Sequence, residues 1–290
     1  EITFDEAMDP TTVSGSNSSI YVTDSAGAAI DGSFAISNGY QTVDFTTIDA
    51  CSVDPCGDTI YCLPGTDTIS VNAQAANLGE EPPQALVVGT GYDGVTDVSG
   101  NSLDGDADGA ASGPEGDSYT WSFETSDDIN DDIPQIESFD PGLGDDQAGT
   151  QSDVLISFST PMKASTITSA SVQLYPNPIY EMWFTVAKSE DGATGNTIAS
   201  LDHPTLVSDE DGGWDYWPVI TNGVKSSYQI CMYPAYGPSS VEAGTADRCD
   251  TDTGGAYCCD GVRSESPCVT DAIVSGDETF EGYVLPYSGE

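Results

Sequence analysis

The sequence predicts an all-β chain folded as two tandem sandwiches, and three observations predict it. The first is a repeat. Residues 2–13 (ITFDEAMDPTTV) return as residues 156–167 (ISFSTPMKASTI), so that Ile2, Phe4, Met8 and Thr12 meet Ile156, Phe158, Met162 and Thr166. The second is apolar–polar alternation at period two, the mark of a half-buried strand, in SIYVTD at 19–24 and SVQLYP at 171–176. The third is punctuation: Gly, Pro, Asn and Asp cluster at turn-like intervals, and no stretch keeps a helical period.

The elements follow in order. In the first domain, residues 1–126, the opening strand leads into a Met-x-x-(Ser/Thr)-Thr segment that reads as a short turn or single helical turn closing one end of a sandwich. Further strands are expected at 34–37, 42–46, 68–73 and 119–125. A charged link, Asp127 to Asp132, ends at Pro134. The second domain, residues 133–290, opens with PQIESFDPGLGDDQAG, a strand and loop, and continues with strands at 182–187, 216–220, 228–233 and 279–285. The first domain has no counterpart of that opening strand. Either the chain is cut from a longer tandem array or a neighbouring copy supplies the strand, because an open sheet edge invites strand addition. The start at Glu-Ile-Thr-Phe, without Met, reads as a processed or truncated segment of a secreted precursor.

Charge sets the partner classes. Five Lys and Arg stand against 49 Asp and Glu, a formal net charge of −44. Such a surface repels nucleic-acid phosphates and anionic lipid heads and attracts cations. The acids are interleaved with Val, Ile, Thr, Tyr, Phe and Trp, which points to folded β structure rather than to an acidic disordered chain. No apolar run is long enough to span a bilayer, so direct membrane insertion is not expected.

Four segments of the first domain resemble bacterial immunoglobulin-like domains of the S-layer-protein type. They are the I-x-F-x-x-x-M-x-x-x-T opening, present in both copies, then LPGTDTISV at 63–71, GVTDVSGNSL at 94–103 and the closing strand YTWSFET. The resemblance covers nearly all of residues 1–126 and extends in the second half to about residue 176. Beyond that the second copy shows no TDxxGN segment and carries a Cys-rich stretch instead. The resemblance implies two tandem immunoglobulin-like β-sandwiches used as spacer, scaffold or adhesive module.

Residues 104–115, Asp-Gly-Asp-Ala-Asp-Gly-Ala-Ala-Ser-Gly-Pro-Glu, satisfy D-x-D-x-D-G-x5-E. Ca²⁺ takes six to eight oxygens, and acids at alternate positions converge as a chain curls. The expected ligands are Asp104, Asp106, Asp108, the Ala110 carbonyl, Ser112 through water, and Glu115, with Gly109 permitting the sharp turn. The bland alternative is a solvated acidic turn. The acid runs at 127–132 and 209–211 fit the pattern poorly and read as solvated surface.

Cys51, Cys56 and Cys62 fall in the first domain, and Cys231, Cys249, Cys258, Cys259 and Cys268 in the second. Both sets are odd in number. Full pairing within the chain therefore needs a bridge between domains; otherwise each domain keeps one cysteine free or joined to another subunit. Spacing without close pairs or neighbouring His favours disulfides over zinc and places the chain outside the cytosol, extracellular or at the cell surface. Local bridges such as Cys51–Cys56 are plausible staples, whereas vicinal Cys258 and Cys259 are expected to have different partners.

Catalytic signatures are missing: no G-x-S-x-G elbow, H-E-x-x-H helix or phosphate loop accompanies the single His203, which reads as a turn histidine before proline. The chain is expected not to be an enzyme. Trp214, Tyr216 and Trp217, with Tyr180 and Trp183 upstream, either fill a core or a subunit contact or stack on sugar rings. The expected function is therefore a structural subunit of a cell-surface filament, stalk or S-layer-like array that self-associates with neighbouring copies. The alternative is an adhesive or carbohydrate-binding region of a larger secreted protein.

Overall fold

Alternation in the sequence becomes alternation in burial. In Ile20–Thr23, Ile20 and Val22 are buried while Tyr21 faces out; in Thr68–Ala73, Ile69, Val71 and Ala73 are buried. The structure, a computed structural model, describes residues 1–13, 19–54, 57–77, 94–110, 112–141, 148–177, 182–207, 215–220, 223–232, 257–259 and 262–264. Nearly all of its regular structure is antiparallel β. The chain divides into two compact units: Glu1–Ser52 with Thr59–Asn130, and Val53–Asp58 with Asp131–Glu290.

The first unit begins with β1 (Ile2–Thr3), the single-turn helix α1 (Pro10–Val13) and β2 (Ile20–Thr23). Then come β3 (Gly32–Ser37), β4 (Thr42–Thr47), β5 (Ala50–Val53), β6 (Thr59–Tyr61) and β7 (Thr68–Ala73), and the unit closes with α2 (Pro114–Asp117) and β8 (Tyr119–Glu124). One sheet has the order β1-β4-β3, another β2-β7-β8, and β5 and β6 form a separate pair. Val43, Phe34 and Phe45 from the first sheet and Ile20, Val22, Ile69, Val71 and Trp121 from the second share one apolar cluster with Met8, Val13 and Val95. Burial of this shared cluster holds the two sheets together.

The second unit contains β9 (Ile136–Asp140), β10 (Val154–Phe158), a 3₁₀ turn (Ala164–Thr166), β11 (Val172–Asn177), β12 (Thr185–Glu190), β13 (Thr197–Asp202) and β14 (Asp215–Ile220). Its sheets are β12-β13-β10-β9 and β11-β14, and both contribute to a core that includes Ile156, Phe158, Met162, Val172, Leu174 and Leu201. A further short pair joins β15 (Tyr257–Cys259) to β16 (Val262–Ser264).

The repeated sequence takes the same part in both units. Strand β1 pairs with β4 as β10 pairs with β13, and β2 pairs with β7 as β11 pairs with β14. Met8 and Met162 are both buried, and each forms an isolated bridge to a segment far along the chain, at Asp97 and Ser226. The Thr that follows each Met fastens this crossing. Thr12 Oγ1 donates to Asp9 O (2.9 Å) and accepts from Thr96 N (3.2 Å). Thr166 Oγ1 donates to Lys163 O (2.7 Å) and accepts from Lys225 N (3.0 Å). Backbone bonds complete the latch: Asp9 N to Thr96 O and Val98 N to Ala7 O in one unit, Lys163 N to Lys225 O and Ser227 N to Pro161 O in the other.

The second copy lacks the TDxxGN residues, yet it keeps the turn that they form in the first. Residues 224–232 (VKSSYQICM) fold as residues 95–103 (VTDVSGNSL) do. Asp97 N bonds Asn101 O and Leu103 N bonds Val95 O; correspondingly, Ser226 N bonds Ile230 O and Met232 N bonds Val224 O. Ser226 stands where Asp97 does, and Gln229 (φ 67°) adopts the left-handed conformation of Gly100 (φ 86°). In place of the strand expected at 228–233, residues 227 and 228 form a turn and Cys231 makes only an isolated bridge to Lys225, because backbone hydrogen bonds and not side-chain alternation set the path; residue 233 lies outside the described residues. The strand expected at 182–187 begins at Thr185 instead, and the one expected at 279–285 lies outside the described residues.

Candidate metal centre

The acidic loop hangs between two fixed points. On one side Leu103 N donates to Val95 O (3.1 Å); on the other Gly105 N donates to Asp117 O (2.8 Å), just before β8. Asp117 is buried, and its Oδ2 accepts Ser112 N (2.6 Å) and Gly113 N (2.9 Å), which pins the far end of the loop. Its Oδ1 is buried without a hydrogen-bond partner among the described residues.

Between these anchors the carboxylates fold inward. Asp104 Oδ2 accepts Gly109 N (3.0 Å), Asp106 Oδ1 accepts Asp108 N (3.2 Å) and Asp108 Oδ1 accepts Ala110 N (2.6 Å). Gly109, at φ 77°, supplies the left-handed turn that the sequence assigns to it. One oxygen from each of Asp104, Asp106 and Asp108 lies within 4.8 Å of the other two, and all three residues are exposed. Oxygens on one Ca²⁺, each roughly 2.4 Å from the ion, sit no further apart than about this. The Asp108 N–H bond, the largest influence on Asp106, lowers its pKa. Desolvation and the neighbouring Asp108 and Asp104 carboxylates outweigh it and leave Asp106 above its ordinary 3.8.

The other expected ligands are placed differently. Glu115 is exposed in α2 and does not join the three aspartates. Ser112 Oγ lies 3.5 Å from Ala110 O. Asp117, the buried carboxylate that shapes the loop, falls two residues past the motif. Its sequence signal is an acid after Gly-Pro at the entry to a strand, a weak one in a chain so rich in Asp.

His203 is buried, with Nδ1 2.9 Å from Pro204 O and Nε2 2.9 Å from Ser152 O. It ties the end of β13 to the approach of β10. Tyr216 packs against the core, and its hydroxyl accepts from Val207 N (2.8 Å) and donates to Val207 O (3.2 Å). Trp183 is 60% exposed. Trp217 lies in β14, and Trp214 and Tyr180 fall outside the described residues. In the second unit Lys225 Nζ sits 3.2 Å from Asp54 Oδ2 and 2.7 Å from Asp58 Oδ2.

Cys51 is bonded to Cys62, with Cα atoms 5.7 Å apart, rather than to Cys56. The β5–β6 pairing allows this choice: Cys51 lies in β5, and Cys62 directly follows β6 with its N–H donating to Asp49 O (2.9 Å). Cys231 is also disulfide-bonded, Cys258 and Cys259 lie in β15, and Cys56, Cys249 and Cys268 fall outside the described residues. Among the described residues no helix is long and apolar enough to cross a membrane. No protein-family model matches this chain, and no curated protein does either.

Proposed function

We propose that this chain is an extracellular structural protein, two tandem immunoglobulin-like β-sandwich domains that build a cell-surface filament, stalk or S-layer-like array by self-association. The observation that supports it most is the duplicated latch, in which the same hydrogen bonds close each unit between equivalent residues. A protein that repeats one rigid closure is organised around shape. The side chains best suited to chemistry also serve shape: both ring nitrogens of His203 lie 2.9 Å from backbone carbonyls, and the hydroxyl of Tyr216 bonds the backbone of Val207. The test is negative-stain imaging of the full chain over a range of concentration and calcium. Filaments or lattices are expected, and isolated particles under every condition would refute the assembly.

The acidic loop is proposed as a Ca²⁺ site that stiffens the first unit. An all-oxygen donor set suits a hard cation, and bound Ca²⁺ offsets the mutual repulsion of the three carboxylates. Adding about 1 mM CaCl₂ is expected to raise Tm by a few degrees, and chelation to reverse it. In D104A the two traces should coincide. A wild-type Tm indifferent to calcium excludes the site.

A second reading rests on Trp183, whose exposure gives a flat apolar surface for a sugar ring. Saturable glycan-array binding lost in W183A favours it.

A further inference from the structure

The buried carboxylate of Asp117 uses only one of its two oxygens. Oδ2 takes the N–H groups of Ser112 and Gly113, while Oδ1, equally out of water, has no hydrogen-bond partner among the described residues. Native structures leave few buried polar atoms in that state, because an unmatched one costs its full desolvation. No Lys or Arg among the described residues pairs with it either. What the oxygen lacks is a positive partner.

The fold says where such a partner would lie. Asp117 O accepts Gly105 N (2.8 Å), so the residue sits against the glycine that separates Asp104 from Asp106. The approach is so close that a Cβ on Gly105 would clash with that carbonyl oxygen. From there the side chain reaches across to Ser112 and Gly113, and it therefore lies on the inner side of the loop that carries the three aspartates. Helix α2 decides which acid faces this interior. Residues two apart on a helix point roughly 200° apart. The single turn Pro114–Asp117 that buries Asp117 thus turns Glu115, the twelfth residue of the motif, out to solvent.

We infer that Asp117, not Glu115, completes the Ca²⁺ site, with Oδ1 as a ligand beside Asp104, Asp106 and Asp108. The inference rests on the calcium reading of this loop and deepens it. Asp117 stands outside the group of three whose oxygens lie within 4.8 Å of one another. Binding draws those exposed aspartates toward a carboxylate that its hydrogen bonds already hold still. A ligand fixed before the ion arrives gives up no side-chain freedom on binding, which an exposed Glu would have to do.

The test compares D117N with E115Q in the full chain. Each removes one negative charge from the same loop, so the long-range field changes alike and ligation separates them. The Asn side-chain oxygen can still accept Ser112 N and Gly113 N, so the loop keeps its pin and the calcium-free Tm should stay near that of the wild type. Calcium affinity is read by calorimetric titration with CaCl₂ in about 0.15 M NaCl, where diffuse attraction of cations to the acidic surface is screened. D117N should bind about tenfold more weakly or worse, and E115Q within about twofold of the wild type. Equal losses in the two variants overturn the inference. A loss confined to E115Q also overturns it, returns the closing ligand to Glu115 and leaves the calcium reading standing. A wild type that binds no calcium removes the calcium reading itself, and this inference with it. If D117N does not fold, the ¹³C carboxyl signals of the labelled wild type decide: at calcium saturation that of Asp117 should move as far as that of Asp104 while that of Glu115 stays, and the reverse overturns the assignment.

Discussion

Asp97 holds a turn together with a carboxylate that is almost entirely out of water. Its Oδ1 accepts Ser99 N (2.7 Å) and Asn101 N (2.8 Å), and its Oδ2 accepts Asn101 Nδ2 (2.7 Å). Burial, the largest influence, raises its pKa; the Asn101 side chain and the N–H groups of residues 99–101 more than offset this and leave it below the ordinary 3.8. A carboxyl depressed by folding stabilises the native state above its unfolded pKa and loses that contribution as pH falls through the folded value. The wild type should therefore lose urea resistance more steeply than D97N as pH drops below 3.8. At neutral pH the variant should be weaker by about 1–2 kcal/mol, because its amide N–H₂ faces that of Asn101. Parallel slopes would mean that Asp97 contributes nothing specific. His203→Ala tests a different contact: the ring nitrogen that carries the proton donates to one of the two carbonyls beside the ring, and about 1 kcal/mol should go with it in chemical denaturation. At this scale the sequence was partly legible. Met8, Thr12 and their repeats announced themselves by identity, whereas nothing in Leu-Asp-His-Pro says that a carbonyl 51 residues away receives the ring.

The element that separates the two units most clearly is the crossing turn. Gly100 and Gln229 sit in the same left-handed conformation, natural for glycine and strained for glutamine by about 1 kcal/mol. Gln229→Gly should raise the unfolding free energy of the second unit by roughly that amount. Gly100→Ala should lower that of the first by a similar amount, through backbone strain alone, since an added Cβ there meets nothing within 4 Å. If Gln229→Gly destabilised, its side chain would have a role that outweighs the strain. Strands with regular alternation, such as β2 and β7, were readable because their burial follows sequence parity. Residues 224–232 were not, because Ser and Gln replace Asp and Gly while the backbone bonds alone persist. Strand β13 is not legible in the sequence although it buries Thr197, Ala199 and Leu201: its small residues pack between neighbouring strands without the bulky alternation that marks a strand.

For the whole molecule, charge is the dominant condition. A formal charge of −44 makes the folded state repel itself more than the expanded one does, and salt screens that repulsion. Tm in calorimetry should rise by a few degrees between about 0.05 M and about 1 M NaCl; a fall would show that specific ion pairs outweigh net repulsion. The all-β class and the repeat were visible in the sequence because both depend on local patterning. The acidic loop was visible as a motif, but its true anchor, Asp117, was not, because that role depends on how the loop folds back.

The latch has a kinetic corollary. Thr12 meets Thr96 across 84 residues, and Thr166 meets Lys225 across 59. Loop-closure entropy grows so slowly with length that this gap is worth only about 0.3 kcal/mol. Both halves should thus mature on similar timescales, each waiting on contacts remote in the chain. During synthesis the first strands emerge well before the residues that will fasten them, and for that interval the nascent polypeptide is open to misjoining with its neighbours on the ribosome.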